Sequence, residues 1–318
     1  MELDIRHLRV ICAIADAGSV TKAATSLGLS QPSLTGQLQR IETLLGGKLF
    51  LRGPEGTVPT DLGAFVISRA RAVLPAIDQL RADAIRRAGA HQELRVLRYG
   101  AAPGPLMVGL LGRLRELLTG AEVTLRTETS SATLVDLVAS GRLELAAMLE
   151  YPDHEVAPNP EVERGIVATE PSFALLSSGH PLAARAELSL ADLADEDWVI
   201  PPPGDRFREY FGLACQQAGF RPKVSHETEA SGARDLMMAG QAVAIGQATF
   251  RETPGVVARP LKDTPMRLRH VLVWNRNGSL TPLADQLLAA ARAAYDEAVH
   301  RSPDYQVWLA KHGPLPLS

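Results

Sequence analysis

The stretch from Gly18 to Leu34 constrains this chain more than any other. It reads as two short helices joined by a tight turn. Ser19 stands at an N-cap position ahead of the apolar spacing Val20, Ala23, Ala24 and Leu27. Gly28 ends that helix, because glycine adopts the left-handed conformation a helix C-terminus needs. Ser30 is a second N-cap, and Pro32 falls in the first turn, where a missing N–H removes no helical bond. Leu34, Leu38, Ile41 and Leu45 recur at helical spacing and give the second helix one buried face. The other face carries Gln31, Pro32 and Thr35, then Gln39 and Arg40. Short polar groups at a helix N-terminus, followed by an arginine, suit a helix lying in the major groove of DNA.

The flanking segments extend this unit. Leu8, Ile11, Cys12 and Ala15 step by threes and fours and predict a first helix over residues 4–17. Lys48–Leu51 and Gly56–Pro59 read as two strands of a hairpin around Arg52–Glu55, a wing beside the helix pair. Thr60 then caps a long helix reaching about Ala88. Its stripe of Leu62, Val66, Val73, Ile77 and Leu80 cannot be buried by one helix outside a domain, so pairing with a second chain is expected. The competing reading is an ordinary packed helix. Pro75 lies inside the pattern and is expected to kink it.

The formal net charge of −3 looks wrong for a nucleic-acid binder until it is divided. Residues 1–92 carry 11 Lys and Arg against 8 Asp and Glu, a net of +3, and the remainder carries 22 against 28, a net of −6. The basic excess lies with the helix pair, as phosphate contact requires. Two cysteines, Cys12 and Cys215, form no disulfide framework and suit a reducing cytosol. No signal peptide and no membrane-length apolar run is recognisable, so a cytoplasmic location without membrane contact is expected. The sequence has no Gly-x-Ser-x-Gly, P-loop, Gly-x-Gly-x-x-Gly or metal-spaced His/Cys cluster. No catalytic residue, metal or cofactor is therefore assigned.

A polar segment over residues 86–93 reads as a hinge. Beyond it strand and helix signals alternate: Leu94–Tyr99, a helix near Leu106–Leu118, Val123–Thr127, a helix near Ala132–Ala139, and Leu143–Leu149. That is a βαβαβ run and predicts a parallel sheet. A second alternation follows, with strands at Phe173–Leu176, Trp198–Ile200, Val224–Thr228 and Val243–Ile245 and helices near Phe207–Ala218 and Ala233–Ala239. Strand Leu268–Trp274 and helix Pro282–Val299 are expected to return to the first lobe. The loop Ala102, Pro103, Gly104 and the turn Thr129, Ser130, Ser131 both end strands and begin helices. In a parallel sheet such ends share one edge, where free N–H groups receive a ligand. Met148 and Leu149 add apolar surface, and Pro202, Thr228 and Gln247 are expected to face these loops from the second lobe. For Ser130 and Ser131 plain capping competes with ligand binding. Neither loop holds Lys or Arg, so a small, partly apolar effector that can bear one carboxylate is expected, rather than a sugar phosphate.

The segments Ser30–Leu34, Gln37–Glu42 and Leu45–Arg52 resemble the N-terminal domain of the LysR-type transcriptional regulators. The likeness continues more loosely through Ser130–Leu134, Gly141–Ala146, Gly179–Ala183, Ala218–Pro222 and Met238–Ile245. It implies an α/β chain with a winged helix-turn-helix domain over 1–59 and a linker and dimerisation helix with hinge over 60–92. It implies a two-lobed effector domain over 93–301 that resembles a periplasmic binding protein. Lobe 1 would span about 93–168 and 269–301, and lobe 2 about 169–268. Residues 302–318 form an extension whose Tyr305, Trp308 and Leu309 make one apolar face. The resemblance further implies base contacts by Gln31, Pro32 and Thr35. Backbone contacts are expected from Ser30, Ser33, Lys22, Gln39, Arg40, Lys48 and Arg52. The implied partners are double-stranded DNA, a small-molecule effector, a second copy in a dimer or tetramer and, further off, RNA polymerase. The sequence departs from the family pattern at Gly36, where a basic group is usual, and at Glu55 and Gly56 in the wing. The rival reading is a small-molecule-binding or enzymatic α/β protein whose N-terminal helices serve only dimerisation.

Overall fold

The computed structural model describes residues 3–53, 56–88, 94–203, 206–251 and 253–317. Of the hinge expected at 86–93, residues 86–88 belong to the long linker helix and 89–93 lie outside the described residues, as do the wing tip at Pro54 and Glu55 and the side chain of Arg52. Contacts divide the chain into two units, Met1–Gln92 and Glu93–Ser318.

The first unit is built from α1 (Ile5–Ala17), α2 (Val20–Ser26), α3 (Gln31–Leu45), β1 (Phe50–Gly53), β2 (Gly56–Pro59) and α4 (Asp61–Ala88). Each start obeys its sequence signal. Ser19 accepts a hydrogen bond from the Lys22 amide, and Ser30 accepts one from the Ser33 amide. Ile11, Ile14, Ala23, Leu34, Ile41 and Leu49 form a common core. Strands β1 and β2 pair antiparallel as the wing. Thr60 caps α4 by accepting from the Gly63 amide at 3.0 Å. A Cβ at Gly63 would stand 1.9 Å from the Leu49 carbonyl oxygen, so only glycine lets α4 approach the wing this closely. Helix α4 runs through Pro75 without a break.

The second unit opens with β3 (Val96–Ala101), α5 (Pro105–Leu117), β4 (Glu122–Thr127), α6 (Ser131–Ala139) and β5 (Leu145–Glu150). The expected parallel arrangement is present, with β3 between β4 and β5. Then come β6 (Val162–Ser177), β7 (Asp197–Ile200), α7 (Phe207–Gln217), β8 (Lys223–Glu227), α8 (Ala230–Met238), β9 (Ala244–Gln247) and β10 (Val256–Pro260). The chain closes with β11 (Arg267–Asn275), α9 (Ala284–His300) and α10 (Pro303–His312). Strand β11 returns between β5 and β6, antiparallel to both. Alternation along the strands sorts the side chains into two layers. Leu97, Tyr99, Leu145, Ala147 and Leu272 meet α5 and α9, whereas Ala146, Met148, Val271 and Val273 meet α6.

Strand β6 is the spine. Its first half pairs with β11 and its second half with β9 and β10. Around that second half a further core gathers Trp198, Phe207, Phe211 and Cys215, and β7 pairs in parallel with β8. The strand expected at Phe173–Leu176 is thus only the end of a 16-residue strand. Charged Glu163, Arg164 and Glu170, and Pro171 beyond them, hide the rest from a pattern reading. Helix α10 lies on the body of this unit, burying Tyr305 and Trp308 in the α5/α9 layer.

Candidate nucleic-acid interface and ligand cleft

Helix α3 separates its residues cleanly. Leu34, Leu38 and Ile41 are buried, while Gln31, Pro32, Ser33, Gln39 and Arg40 are exposed and Thr35 is half-buried. The Gln31 amide donates to the Thr35 hydroxyl at 3.3 Å, which aligns two polar groups on the outward face. Lys22 and Ser30 are also exposed. One feature was not legible in the pattern. Glu42 is buried on α3, where its carboxylate accepts from the Leu49 amide at 3.0 Å and from the Lys48 ammonium at 2.6 Å. Lys48 therefore reaches the surface with an internal counter-ion. The Lys48–Glu42 pair also ties the segment just before β1 to α3.

The stripe on α4 divides. Leu62 and Val66 are half-buried and pack against the core of their own unit, beside buried Ile67 and Ala70. Val73 and Leu80 are exposed, and Ile77 is half-buried. Phe65, absent from the expected stripe, is also exposed, with the Arg69 guanidinium 5.5 Å from its ring centre.

In the second unit the expected cleft residues do not all meet. The loop at Pro103 and Gly104 and the β9 residue Gln247 do: the Gln247 amide donates to the Pro103 carbonyl at 3.0 Å. A Cβ at Gly104 would lie 2.9 Å from the Gln247 side-chain oxygen, so a glycine keeps this approach open. Ser130 caps α6 by accepting from the Thr133 amide at 3.1 Å, and the Glu128 carboxylate accepts from the Ser130 amide at 3.1 Å. Ser131 is buried and donates to the Leu149 carbonyl at 2.7 Å, so its hydroxyl is already used inside the lobe. Thr129 and Pro202 are half-buried at the ends of their loops. The Thr228 amide donates to the Ile200 carbonyl at 3.1 Å, and its side chain packs at the start of α8 against Gly232. Ala102 and Met148 are buried in the α6 layer, and Met148 lines a cavity of about 540 Å³ with Val135, Val156, Pro158, Val162 and Val273. Leu149 packs against both that layer and the Trp198 core, so it stands where the lobes meet.

Two features of this region were missed. Tyr151, just after β5, stacks on Tyr210 with ring centres 5.3 Å apart and tilts against Phe207 at 5.6 Å. It joins the first lobe to the start of α7. Glu150 is buried and bound by Arg164 at 2.9 Å; burial pushes its carboxyl above the usual range, and the guanidinium only partly offsets this. Among the described residues no group of His, Cys, Asp and Glu suits a metal ion, and no helix is long and apolar enough to cross a membrane.

Comparison with known proteins places both units. Residues 5–64 match the bacterial regulatory helix-turn-helix family model of lysR type, and residues 87–296 match the LysR substrate binding domain. The small neutral protease regulatory protein of Streptomyces coelicolor is 37% identical over 98% of this chain and 93% of its own length. Full-length CbnR in complex with its target DNA superposes with a TM-score of 0.65 at 22% identity, covering 92% of this chain and 100% of that one. A C206 mutant of Corynebacterium glutamicum OxyR gives a TM-score of 0.57 at 22% identity, covering 99% of this chain and 96% of that one. The chain belongs to the LysR family of bacterial transcriptional regulators, a DNA-binding regulator rather than an enzyme, with a helix-turn-helix domain followed by an effector-binding domain.

Proposed function

We propose that α3 enters the major groove, with Gln31, Pro32 and Thr35 reading base edges. Ser30, Ser33, Lys22, Gln39, Arg40, Lys48 and Arg52 hold the flanking phosphates. The observation that carries this reading is the exposed Gln31, aligned by its hydrogen bond with half-buried Thr35, on a helix whose opposite face is buried. Two copies pair through the exposed part of α4, presenting two recognition helices to two half-sites. The chain works in the cytoplasm, where its DNA lies. A relative named a small neutral protease regulatory protein makes a protease gene the first target to test.

The effector is a small, partly apolar molecule bound where Gln247 meets Pro103 and Gly104, with Ser130 and Leu149 alongside. Helix α5 has no side-chain cap, whereas the start of α6 already carries Ser130 and the Glu128 carboxylate. A carboxylate on the effector therefore seats at the α5 end.

A mobility-shift titration of the full chain on its own upstream DNA, with random DNA as competitor, tests the DNA reading. A shift that random DNA competes away as efficiently as specific DNA overturns it. Loss of the transcriptional response in Ser130→Ala and Gln247→Ala, with DNA binding intact, is expected of the cleft.

A further inference from the structure

The C-terminal helix α10 begins in contact with a buried polar network that leads to the cleft. Glu170 on β6 is fully buried, yet both its oxygens are occupied. Oε1 is 2.9 Å from His270 Nε2 and 3.1 Å from the Thr249 hydroxyl; Oε2 is 3.2 Å from the Thr249 amide and 3.3 Å from the Tyr295 hydroxyl. The Tyr295 hydroxyl is in turn 2.9 Å from the Tyr305 hydroxyl on α10. The direction of these bonds follows from the chemistry. A carboxylate only accepts, so Tyr295 spends its single proton on Glu170, and Tyr305 must donate to Tyr295. The chain of bonds is therefore ordered: Tyr305 to Tyr295 to Glu170.

At its other end the network grips Thr249 twice, by amide and hydroxyl. Thr249 lies in a tight turn closed by the Phe250 amide on the Gln247 carbonyl at 2.9 Å. Gln247 is the residue that crosses to Pro103. One member of the network, His270, borders the point where β6 and β11 shift register, between His270 and Val271.

We propose that α10 is a positioning element of the cleft, and that Tyr305, through Tyr295 and Glu170, fixes the Gln247–Phe250 turn and thereby the Gln247 bridge to Pro103. Its consequence for effector response rests on the reading of that cleft as the effector site. A purely structural role for α10 would instead reside in its apolar contacts, Tyr305 edge-on to Phe173 at 6.1 Å and buried Trp308.

The two roles separate in the full-length chain without any ligand. Tyr305→Phe keeps the ring and removes only the hydroxyl; Trp308→Ala removes packing and keeps the hydroxyl chain. Amide hydrogen exchange is measured over residues 244–250 and 102–107. Tyr305→Phe is expected to speed exchange in both segments roughly three- to tenfold, the effect of losing one buried hydrogen bond, with the melting temperature nearly unchanged. Glu170→Gln is expected to give the same local pattern. Trp308→Ala is expected to lower the melting temperature without that pattern. Unchanged exchange in Tyr305→Phe, or the same pattern in Trp308→Ala, overturns the proposal. Because no effector is present, this outcome is independent of whether the cleft binds one. That reading fails separately if Gln247→Ala and Ser130→Ala leave the transcriptional response intact.

Discussion

Single side chains in this regulator show how burial decides chemistry. Cys215 is fully buried among Trp198, Phe207 and Phe211, and desolvation pushes its thiol up to about 12. A thiol reacts as its thiolate, so Cys215 is inert at neutral pH. We expect native protein at pH 8 to resist iodoacetamide at Cys215, and peroxide to leave its DNA affinity unchanged. Rapid alkylation read by mass spectrometry would contradict this. Glu150 behaves in the opposite sense to a surface carboxylate. Burial raises its folded-state pKa, so the folded chain holds this proton more tightly than the unfolded one. The stability tied to that proton is complete at low pH and is lost as pH rises through the folded-state value. Glu150→Gln keeps an oxygen for Arg164 and removes the titration. Thermal melts should show the variant more stable than the parent at pH 7.5, with the difference vanishing below about pH 4, where Glu150 is protonated in both states. A variant that melts lower at pH 7.5 would mean that the ion pair outweighs the desolvation.

Among the elements, α3 carries the most specific prediction. Its core face is anchored by fully buried Leu34 and Ile41, so changes on the outer face should leave the fold intact. Gln31→Ala is expected to weaken binding to the specific site by about 1–3 kcal/mol, the range for losing a good base contact, and to leave random-sequence binding almost unchanged. Fluorescence anisotropy on both DNAs measures this, and an equal loss on both would remove Gln31 from the reading face. Lys48 is expected to contribute less to phosphate binding than its exposure suggests, because Glu42 already partners it.

At the scale of the whole molecule, assembly is expected to depend on the portion of α4 that its own unit leaves bare. Val73 and Leu80 are exposed apolar side chains, whereas Ile67 and Ala70 are spent on the internal core. Val73→Asp is expected to place a charge in the seam between two copies and shift sedimentation toward monomer. Intact oligomers with normal operator affinity would show that the helices meet elsewhere. The sequence by itself determined the helix pair, its caps, the wing, the linker helix and the α/β alternation, because these obey local rules: Ser19 and Ser30 cap, Gly28 ends a helix, and periodicity selects a face. It also marked Gln31, Pro32 and Thr35 as outward, since helical spacing leaves them no other place. Only the tertiary structure decided which cleft candidates meet. Gln247 and Pro103 lie 144 residues apart in sequence, and nothing local pairs them. Ser131, Ala102 and Met148 look equally available in the sequence, but packing turns the first to Leu149 and buries the others under α6. The same holds for β6, whose charged residues break the alternation a strand should show. Those charges are tolerated because partners from distant strands and helices, Arg164 with Glu150 and His270 with Glu170, satisfy them only once the chain has folded.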